Sequence, residues 1–139
     1  MAAPVSTVRG VAIMTAIGLA IVAAFQVALA LGVPWGRAAY GGTSETLPPE
    51  LRVASTVAAI VWLLAAAVIL GRAGYWGSPR WAAIFRRGTW LVAGLLGLGA
   101  LVNFASSSPW ERFGWGPLAL LLAIGCVVLA RARGAGAAA

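Results

Sequence analysis

The chain has 139 residues, 62% of them apolar and only 9% charged, far below the roughly 25% charged residues of an average soluble domain. Its ten basic residues are all arginines and give a net charge of +7, but they are scattered and not interleaved with stacking aromatic residues, which argues against a nucleic-acid partner. The lack of histidine and the presence of a single cysteine, Cys126, exclude an internal disulfide and a Cys/His metal cluster, so we expect no metal and no cofactor.

The first predicted transmembrane span covers residues 11–33, which carry no formal charge and measure about 34 Å as a helix. Pro34, Trp35 and Gly36 follow and end it. An alternative is a cleaved secretory signal, with Arg9 before the apolar core and Ala28-Leu29-Ala30 as the cleavage site. The apolar run is longer than an ordinary signal core, which favours a span that stays in the membrane.

Small residues recur at every fourth position of this span: Ala12, Ala16, Ala20, Ala24, Ala28 and Gly32. Such a row lets a neighbouring helix approach closely and predicts helix packing through Ala16, Ala20, Ala24 and Ala28. An alanine-rich composition producing the spacing by chance is the alternative. Gln26 lies about 200° around the helix from Ala24, so the first helix must contact partners on two sides, or Gln26 faces lipid.

Three further spans are predicted at residues 51–70, 88–105 and 115–130. The third contains Gly94 and Gly97, which again suggest close helix contact. The segment 71–87 between the second and third spans contains four arginines and no acid.

Arginine is distributed unequally between the two sets of span ends. The N-terminal lead, segment 71–87 and the C-terminal tail hold seven arginines and no acid: Arg9, Arg72, Arg80, Arg86, Arg87, Arg131 and Arg133. The other two loops hold Arg37, Arg52 and Arg112 together with the three glutamates, Glu45, Glu50 and Glu111. Because arginine-rich loops stay cytoplasmic, we predict an all-α membrane protein with both termini in the cytoplasm. Its single domain, residues 1–139, is predicted to be four transmembrane helices in an up-down-up-down bundle, in the inner membrane of a bacterium, because the exclusive use of arginine suggests GC-rich coding.

Polar side chains lie toward the predicted outer ends of the spans, where an antiparallel bundle would bring them to one level. The candidate binding residues are Gln26, Arg52, Ser55, Asn103, Ser106, Ser108, Glu111 and Arg112. One interpretation is an outward-facing pocket for a small polar molecule or lipid headgroup, with Arg112 or Arg52 attracting an anionic part. The other is interhelical hydrogen bonding of about 0.6 kcal/mol per contact, with Glu111 and Arg112 as an ordinary interfacial ion pair.

Three segments carry a resemblance to known proteins: Trp35–Gly42 (WGRAAYGG), Leu47–Ser55 (LPPELRVAS) and Asn103–Arg112 (NFASSSPWER). They resemble a group of short four-span bacterial membrane proteins of unknown activity. The resemblance implies the same topology and draws attention to the outer loops, but it implies no reaction. The chain departs from the group at Tyr40, where the resemblance implies tryptophan.

Three functions are compatible with these features. The first is a non-catalytic accessory or structural component of the membrane that self-associates or binds a membrane protein partner. The second is a transporter or channel subunit, although four-span drug exporters of similar length depend on a glutamate in the first span, where this chain has Gln26. The third is an enzyme acting on lipid or quinone through Glu111, Arg112 and Asn103; the scarcity of acids and the lack of histidine disfavour it.

Overall fold

The computed structural model of the protein describes residues 5–132, and Arg133 of the arginine count lies outside them. Within that range the chain is helical and has no strand. The main helices are α1 (Val5–Ala30), α2 (Pro49–Arg72), α3 (Ala82–Ala105) and α4 (Gly116–Arg131). Four helical stretches are long and apolar enough to cross a membrane: Val5–Ala30, Pro49–Arg72, Pro79–Ala105 and Glu111–Arg131. The predicted all-helical fold and the prediction of four helices long and apolar enough to span a membrane are therefore confirmed for the described residues, and these helices indicate a multi-pass membrane protein.

The helices extend past the apolar runs from which the spans were predicted. Arg72 belongs to α2, and Arg86 and Arg87 belong to the first turns of α3. The connection between these helices is therefore much shorter than segment 71–87. Charged residues ended the predicted spans, but arginine is compatible with a helix that continues into the interface, because its long side chain can reach polar surroundings.

The C-terminal end of α1 is closed by a Schellman motif. Gly32 has a φ of 89°, its N–H donates to the Leu29 carbonyl at 3.0 Å, and the Val33 N–H donates to the Ala28 carbonyl at 3.0 Å. This left-handed position suits glycine because glycine has no Cβ. Gly32 is therefore a helix cap, and α1 ends at Ala30, three residues before the end of the predicted span.

A single π-helical turn, Glu111–Trp115, leads into α4. The Gly116 N–H donates to the carbonyl of Glu111, five residues earlier. Pro117 explains this register: it has no N–H to donate, and its ring displaces the carbonyl four residues before it.

The helices pack in sequential pairs, because α1 contacts α2 most extensively and α3 contacts α4 most extensively. Contacts of α2 with α3 and of α1 with α4 join the pairs. The core contains Leu19, Ile69, Leu96, Cys126 and Leu129, all nearly inaccessible. At one end of the molecule, Arg9 lies 5.5 Å from the centre of the Tyr75 ring, Arg131 lies 6.0 Å from that of Trp90, and Arg72 donates a hydrogen bond to the Ala132 carbonyl.

The alanine row of α1 does not form one contact surface within the chain. Ala16 is buried, Ala28 is half-buried, and Ala20 and Ala24 are exposed. Residues four apart are displaced by about 40° around a helix with 3.6 residues per turn, so the row winds away from any one neighbour. The buried residues of α1 follow a spacing of three and four instead: Ala12, Thr15, Ala16, Leu19, Ala23 and Leu29.

Gly94 and Gly97 also lie away from the interior contacts. A Cβ added at either position would meet no atom of the described chain within 4 Å. Close packing inside the chain occurs at other glycines, because a Cβ at Gly18 would lie 2.5 Å from Leu122 and one at Gly71 would lie 2.5 Å from Phe85.

Candidate ligand-binding cavity

A cavity of about 590 Å³ lies among the four helices, beneath the connection between α1 and α2. Its polar lining residues include Gln26, Tyr40, Asn103, Ser106 and Glu111. Phe25, Trp62, Leu96, Trp115 and Leu122 are among its apolar lining residues. This size and this mixture of apolar walls with a few convergent polar groups are typical of small-molecule sites.

The roof of the cavity is a pair of loops joined by hydrogen bonds. Residues 37–41 of the α1–α2 connection accept or donate four bonds with the segment 107–115 before α4. The bonds are Gly41 N–H to Glu111 Oε2 at 2.9 Å, Ser107 Oγ to Gly41 O at 3.0 Å, Ser108 Oγ to Arg37 O at 2.8 Å, and Trp115 Nε1 to Ala38 O at 3.0 Å. We call this set the loop clip. Because it crosses between segments about 70 residues apart, the clip determines where both loops lie over the cavity.

The sequence Ser108-Pro-Trp-Glu111 has the pattern of a helix capping box, but its glutamate has another partner. The Ser108 Oγ lies 3.5 Å from the Glu111 N–H, as in a capping box, and Pro109 occupies the first helical position. In a capping box the glutamate accepts a hydrogen bond from the N–H of the serine. Here the Ser108 N–H donates instead to Ser106 Oγ at 3.0 Å. The Glu111 side chain is thereby available to the cavity and the clip.

Glu111 is held at the edge of the cavity by two donors. The Gly41 N–H and the Ser106 hydroxyl both donate to its Oε2. Its Oε1 accepts no hydrogen bond from residues 5–132 in this structure. A carboxylate fixed through one oxygen, beside a cavity, can accept hydrogen bonds from a ligand through the other.

Gln26 contributes a second unsatisfied acceptor. It lines the cavity, so α1 directs it between the helices and not toward lipid. Its Oε1 is buried and has no hydrogen-bond partner among the described residues. Such an unpaired oxygen costs about 1–3 kcal/mol. Rotation about the terminal torsion of the side chain, which is a soft one, would let a donor from a ligand in the cavity pair with the amide.

Half of the predicted site residues lie outside the cavity lining. Ser55 is fully buried and its Oγ pairs with the Tyr40 hydroxyl at 3.0 Å, so it supports a lining residue without contacting the cavity. Ser108 is 2% exposed and belongs to the clip. The remaining two are the arginines.

Neither predicted anion-attracting arginine lines the cavity. Arg52 donates from Nε to the Ala30 carbonyl at 2.9 Å, at the C-terminal end of α1. Arg112 is exposed and donates from Nη2 to the Ser106 carbonyl at 2.7 Å. Glu111 and Arg112, adjacent in sequence, share no hydrogen bond in the described part of the chain and point to different partners.

The aromatic lining residues were not part of the predicted site. Tyr40 is the one described residue other than glycine with a positive φ, 49°, a strained conformation for a bulky side chain. It is followed by Gly41 and Gly42, with φ of 80° and 72°. The Tyr-Gly-Gly sequence was a usable signal for this turn, whereas nothing in the local sequence placed Trp62 or Trp115 in the same cavity as Gln26.

A second groove of about 580 Å³ lies behind one wall of the cavity. Phe25 and Trp115 line both spaces, and their ring centres are 4.5 Å apart. Arg37, Trp35 and Trp110 line only the second groove. The wall formed by Phe25 and Trp115 therefore lies between Arg37 in the groove and Glu111 in the cavity.

Within residues 5–132, no three His, Cys, Asp or Glu side chains are grouped so that they could hold a metal ion. Comparison with known proteins adds no functional assignment to this geometry. No family model, no curated protein and no solved structure matches the chain.

Proposed function

We propose that this protein is a non-catalytic, multi-pass membrane protein that binds a small amphipathic molecule in the 590 Å³ cavity. The observation that carries the proposal is the convergence of Glu111, Gln26 and Asn103 on a space with aromatic walls. Polar groups in the hydrocarbon region are costly without partners, and an occupant of the cavity would supply partners for groups that the chain leaves unsatisfied.

The proposal includes an orientation. The helices run up-down-up-down in the bacterial inner membrane, with both termini in the cytoplasm and the cavity toward the outside. Its support is the seven-to-three distribution of arginine, read by the positive-inside rule. The contacts Arg9–Tyr75 and Arg72–Ala132 agree with it, because they bring the beginning of α1, the α2–α3 connection and the end of α4 to one end of the molecule. The resemblance to four-span bacterial proteins would place the same loops outside.

Ligand binding is favoured over catalysis by the chemistry of the lining. Glu111 is the only carboxylate that lines the cavity in the described chain, and one of its oxygens already accepts two hydrogen bonds. Acid–base catalysis commonly requires a second group that exchanges protons at the same point. A single anchored carboxylate with two amides is better suited to orienting a bound molecule.

Two glycine substitutions on α3 test occupancy of the cavity. Gly99 lines the cavity, and Gly94 does not; a Cβ at either position meets nothing within 4 Å. Gly99→Phe should therefore fill the cavity, whereas Gly94→Phe should add the same side chain to the same helix outside it. The wild-type protein and both variants would be extracted from membranes in mild detergent and analysed by native mass spectrometry.

We expect a bound molecule on the wild-type monomer and on Gly94→Phe, and its loss from Gly99→Phe. Release of that molecule by denaturation would provide its mass. Equal occupancy of the two variants, or a wild-type monomer that carries no adduct, would contradict the proposal.

Self-association is a second candidate function, favoured by the position of Gly94 and Gly97. Both present open space outside the chain, and small residues on a lipid-facing helix surface permit close approach of a second helix. Chemical crosslinking of the protein in nanodiscs would detect a dimer. The double variant Gly94→Ile, Gly97→Ile should abolish the crosslinked dimer. A wild-type protein that remains monomeric at high protein-to-lipid ratio would remove this candidate.

A further inference from the structure

The cavity carries one formal charge, and it is negative. Among the described lining residues, Glu111 is the only aspartate, glutamate, lysine or arginine. This contrasts with a chain whose net charge is +7. The excess arginines do not line the cavity. The charge of the cavity lining is therefore opposite in sign to the net charge of the protein.

The cations near the cavity are engaged elsewhere. Arg52 donates to the Ala30 carbonyl, and Arg112 donates to the Ser106 carbonyl. Arg37 lies in the second groove, behind the wall formed by Phe25 and Trp115. The Glu111 carboxylate is therefore held by neutral donors, a backbone N–H and a hydroxyl, and no guanidinium group compensates its charge from within the lining.

The remaining lining groups also favour a cation with an apolar body. Aromatic rings of Phe25, Tyr40, Trp62 and Trp115 line the same space, and ring faces attract ammonium groups, most strongly where water is excluded. The buried Oε1 of Gln26 has no partner among the described residues, and rotation of the amide would let it accept a hydrogen bond from a head that carries an N–H. An anionic ligand would bring a second negative charge beside Glu111, which low-dielectric surroundings penalise.

We infer that the cavity selects an amphipathic organic cation whose charged head lies against Glu111 and whose apolar body lies among the aromatic rings. A protonated amine would also donate a hydrogen bond to Gln26, which a quaternary ammonium group cannot do. This inference rests on the proposed ligand-binding function and specifies the charge of the ligand. Asn103 and Gln26 supply neutral polar contacts around the head, and Trp62 packs against the body.

Four related probes separate charge from shape: benzylamine, benzyltrimethylammonium, benzyl alcohol and benzoate. Each has one aromatic ring, and at neutral pH the first two are cations, the third is neutral and the fourth is an anion. Dissociation constants would be measured by ligand-detected NMR with the full chain in phosphatidylcholine nanodiscs, and the signal from empty nanodiscs would be subtracted. We expect the cations to bind about tenfold more tightly than benzyl alcohol, the equivalent of about 1.4 kcal/mol, and benzoate to bind more weakly than benzyl alcohol.

The Glu111→Gln variant should remove the preference for cations, so that the cations and benzyl alcohol bind with dissociation constants within about twofold of each other, while glutamine keeps an acceptor for the Gly41 N–H. Glu50→Gln is the matched control, since Glu50 is exposed at the beginning of α2, and it should retain the full preference. Trp62→Leu should weaken all four probes and keep their order. This last variant leaves the Glu111 contacts intact, so it tests the aromatic wall even where Glu111→Gln lowers the yield of folded protein.

The outcomes separate this inference from the proposed function. A cation that binds no more tightly than benzyl alcohol, or a preference that survives Glu111→Gln, overturns the inference. If the wild type binds all four probes without a preference for charge and Gly99→Phe abolishes that binding, the cavity is a binding site but not one for cations. Where Gly99→Phe changes no affinity, both the inference and the proposed function fail.

Discussion

Ser107 and Ser108 provide a matched pair for testing the loop clip. Each hydroxyl donates one hydrogen bond to a backbone carbonyl of the α1–α2 connection, at 3.0 Å for Ser107 and 2.8 Å for Ser108. Their surroundings differ, because Ser107 is exposed and Ser108 is 2% exposed. Water can replace the hydroxyl of Ser107 but not that of Ser108. The two substitutions by alanine should therefore have different effects on the free energy of unfolding.

The size of the difference follows from the contacts of Ser108. Ser108→Ala leaves the Arg37 carbonyl without its buried donor, a loss of about 1–3 kcal/mol. It also removes the cap on the Glu111 N–H, which contributes near the lower end of about 0.5–2 kcal/mol because the distance is 3.5 Å. Together these suggest destabilisation by about 2 kcal/mol, or about 30-fold in the unfolding equilibrium. Ser107→Ala should cost less than about 0.5 kcal/mol.

Unfolding in mixed micelles with increasing sodium dodecyl sulfate, followed by tryptophan fluorescence and circular dichroism, measures both free energies. The double variant should equal the sum of the single variants to within about 0.5 kcal/mol if the two bonds act independently. Equal costs at the two positions, or a larger cost at Ser107, would refute the reasoning that burial of the clip determines its contribution.

Two further predictions concern helix contacts. Gly71→Ala should destabilise the protein by about 1–3 kcal/mol in the same unfolding assay, because the added methyl group would lie 2.5 Å from the buried ring of Phe85. The control Gly94→Ala, with open space around it, should be neutral or stabilising by up to about 1 kcal/mol. A loss of stability at Gly94 equal to that at Gly71 would contradict the packing described. Arg52→Met keeps the unbranched side chain as far as the position of Nε but removes the donor to the Ala30 carbonyl at the end of α1. It should lower the free energy of unfolding by about 1 kcal/mol after allowance for partial exposure, and an unchanged value would show that this bond does not stabilise the helix end.

The number and type of helices could be predicted from the sequence because each apolar run is long and contains at most one charged residue. The bounds could not, because charged residues ended the predicted spans while backbone hydrogen bonding continued through Arg72 and Arg86. Gly32 shows a second cause of error. It fits a four-residue row in the sequence, but its position after the last turn of α1 makes it a cap with a positive φ.

The candidate site could be predicted in part. Gln26, Asn103, Ser106 and Glu111 line one cavity, and the sequence argument grouped them because they lie at similar levels along their spans. It could not show which way Arg52 and Arg112 would point, because that depends on nearby backbone carbonyls that accept their hydrogen bonds.

The aromatic walls were missed for a related reason. Trp62 lies near the middle of its helix and reaches the cavity only because of the rotation of α2 about its axis, which no local pattern specifies. The position of Trp115 depends on the π turn and on its bond to Ala38. Such tertiary contacts determine which residues line one cavity, whereas the length of an apolar run indicates only which segments can span a membrane.

Accessibility of a cysteine at position 103 tests the central claim, an outward-facing cavity, most directly. In a Cys126→Ala background, Asn103→Cys places the only thiol in the cavity lining, and Ala83→Cys places one on an exposed part of the same helix, about 30 Å away along the axis. A membrane-impermeant cationic methanethiosulfonate should modify Asn103→Cys in intact bacterial spheroplasts and should modify Ala83→Cys only after the membrane is permeabilised. The reverse pattern, or an Asn103→Cys thiol that reacts from neither side, would contradict the account.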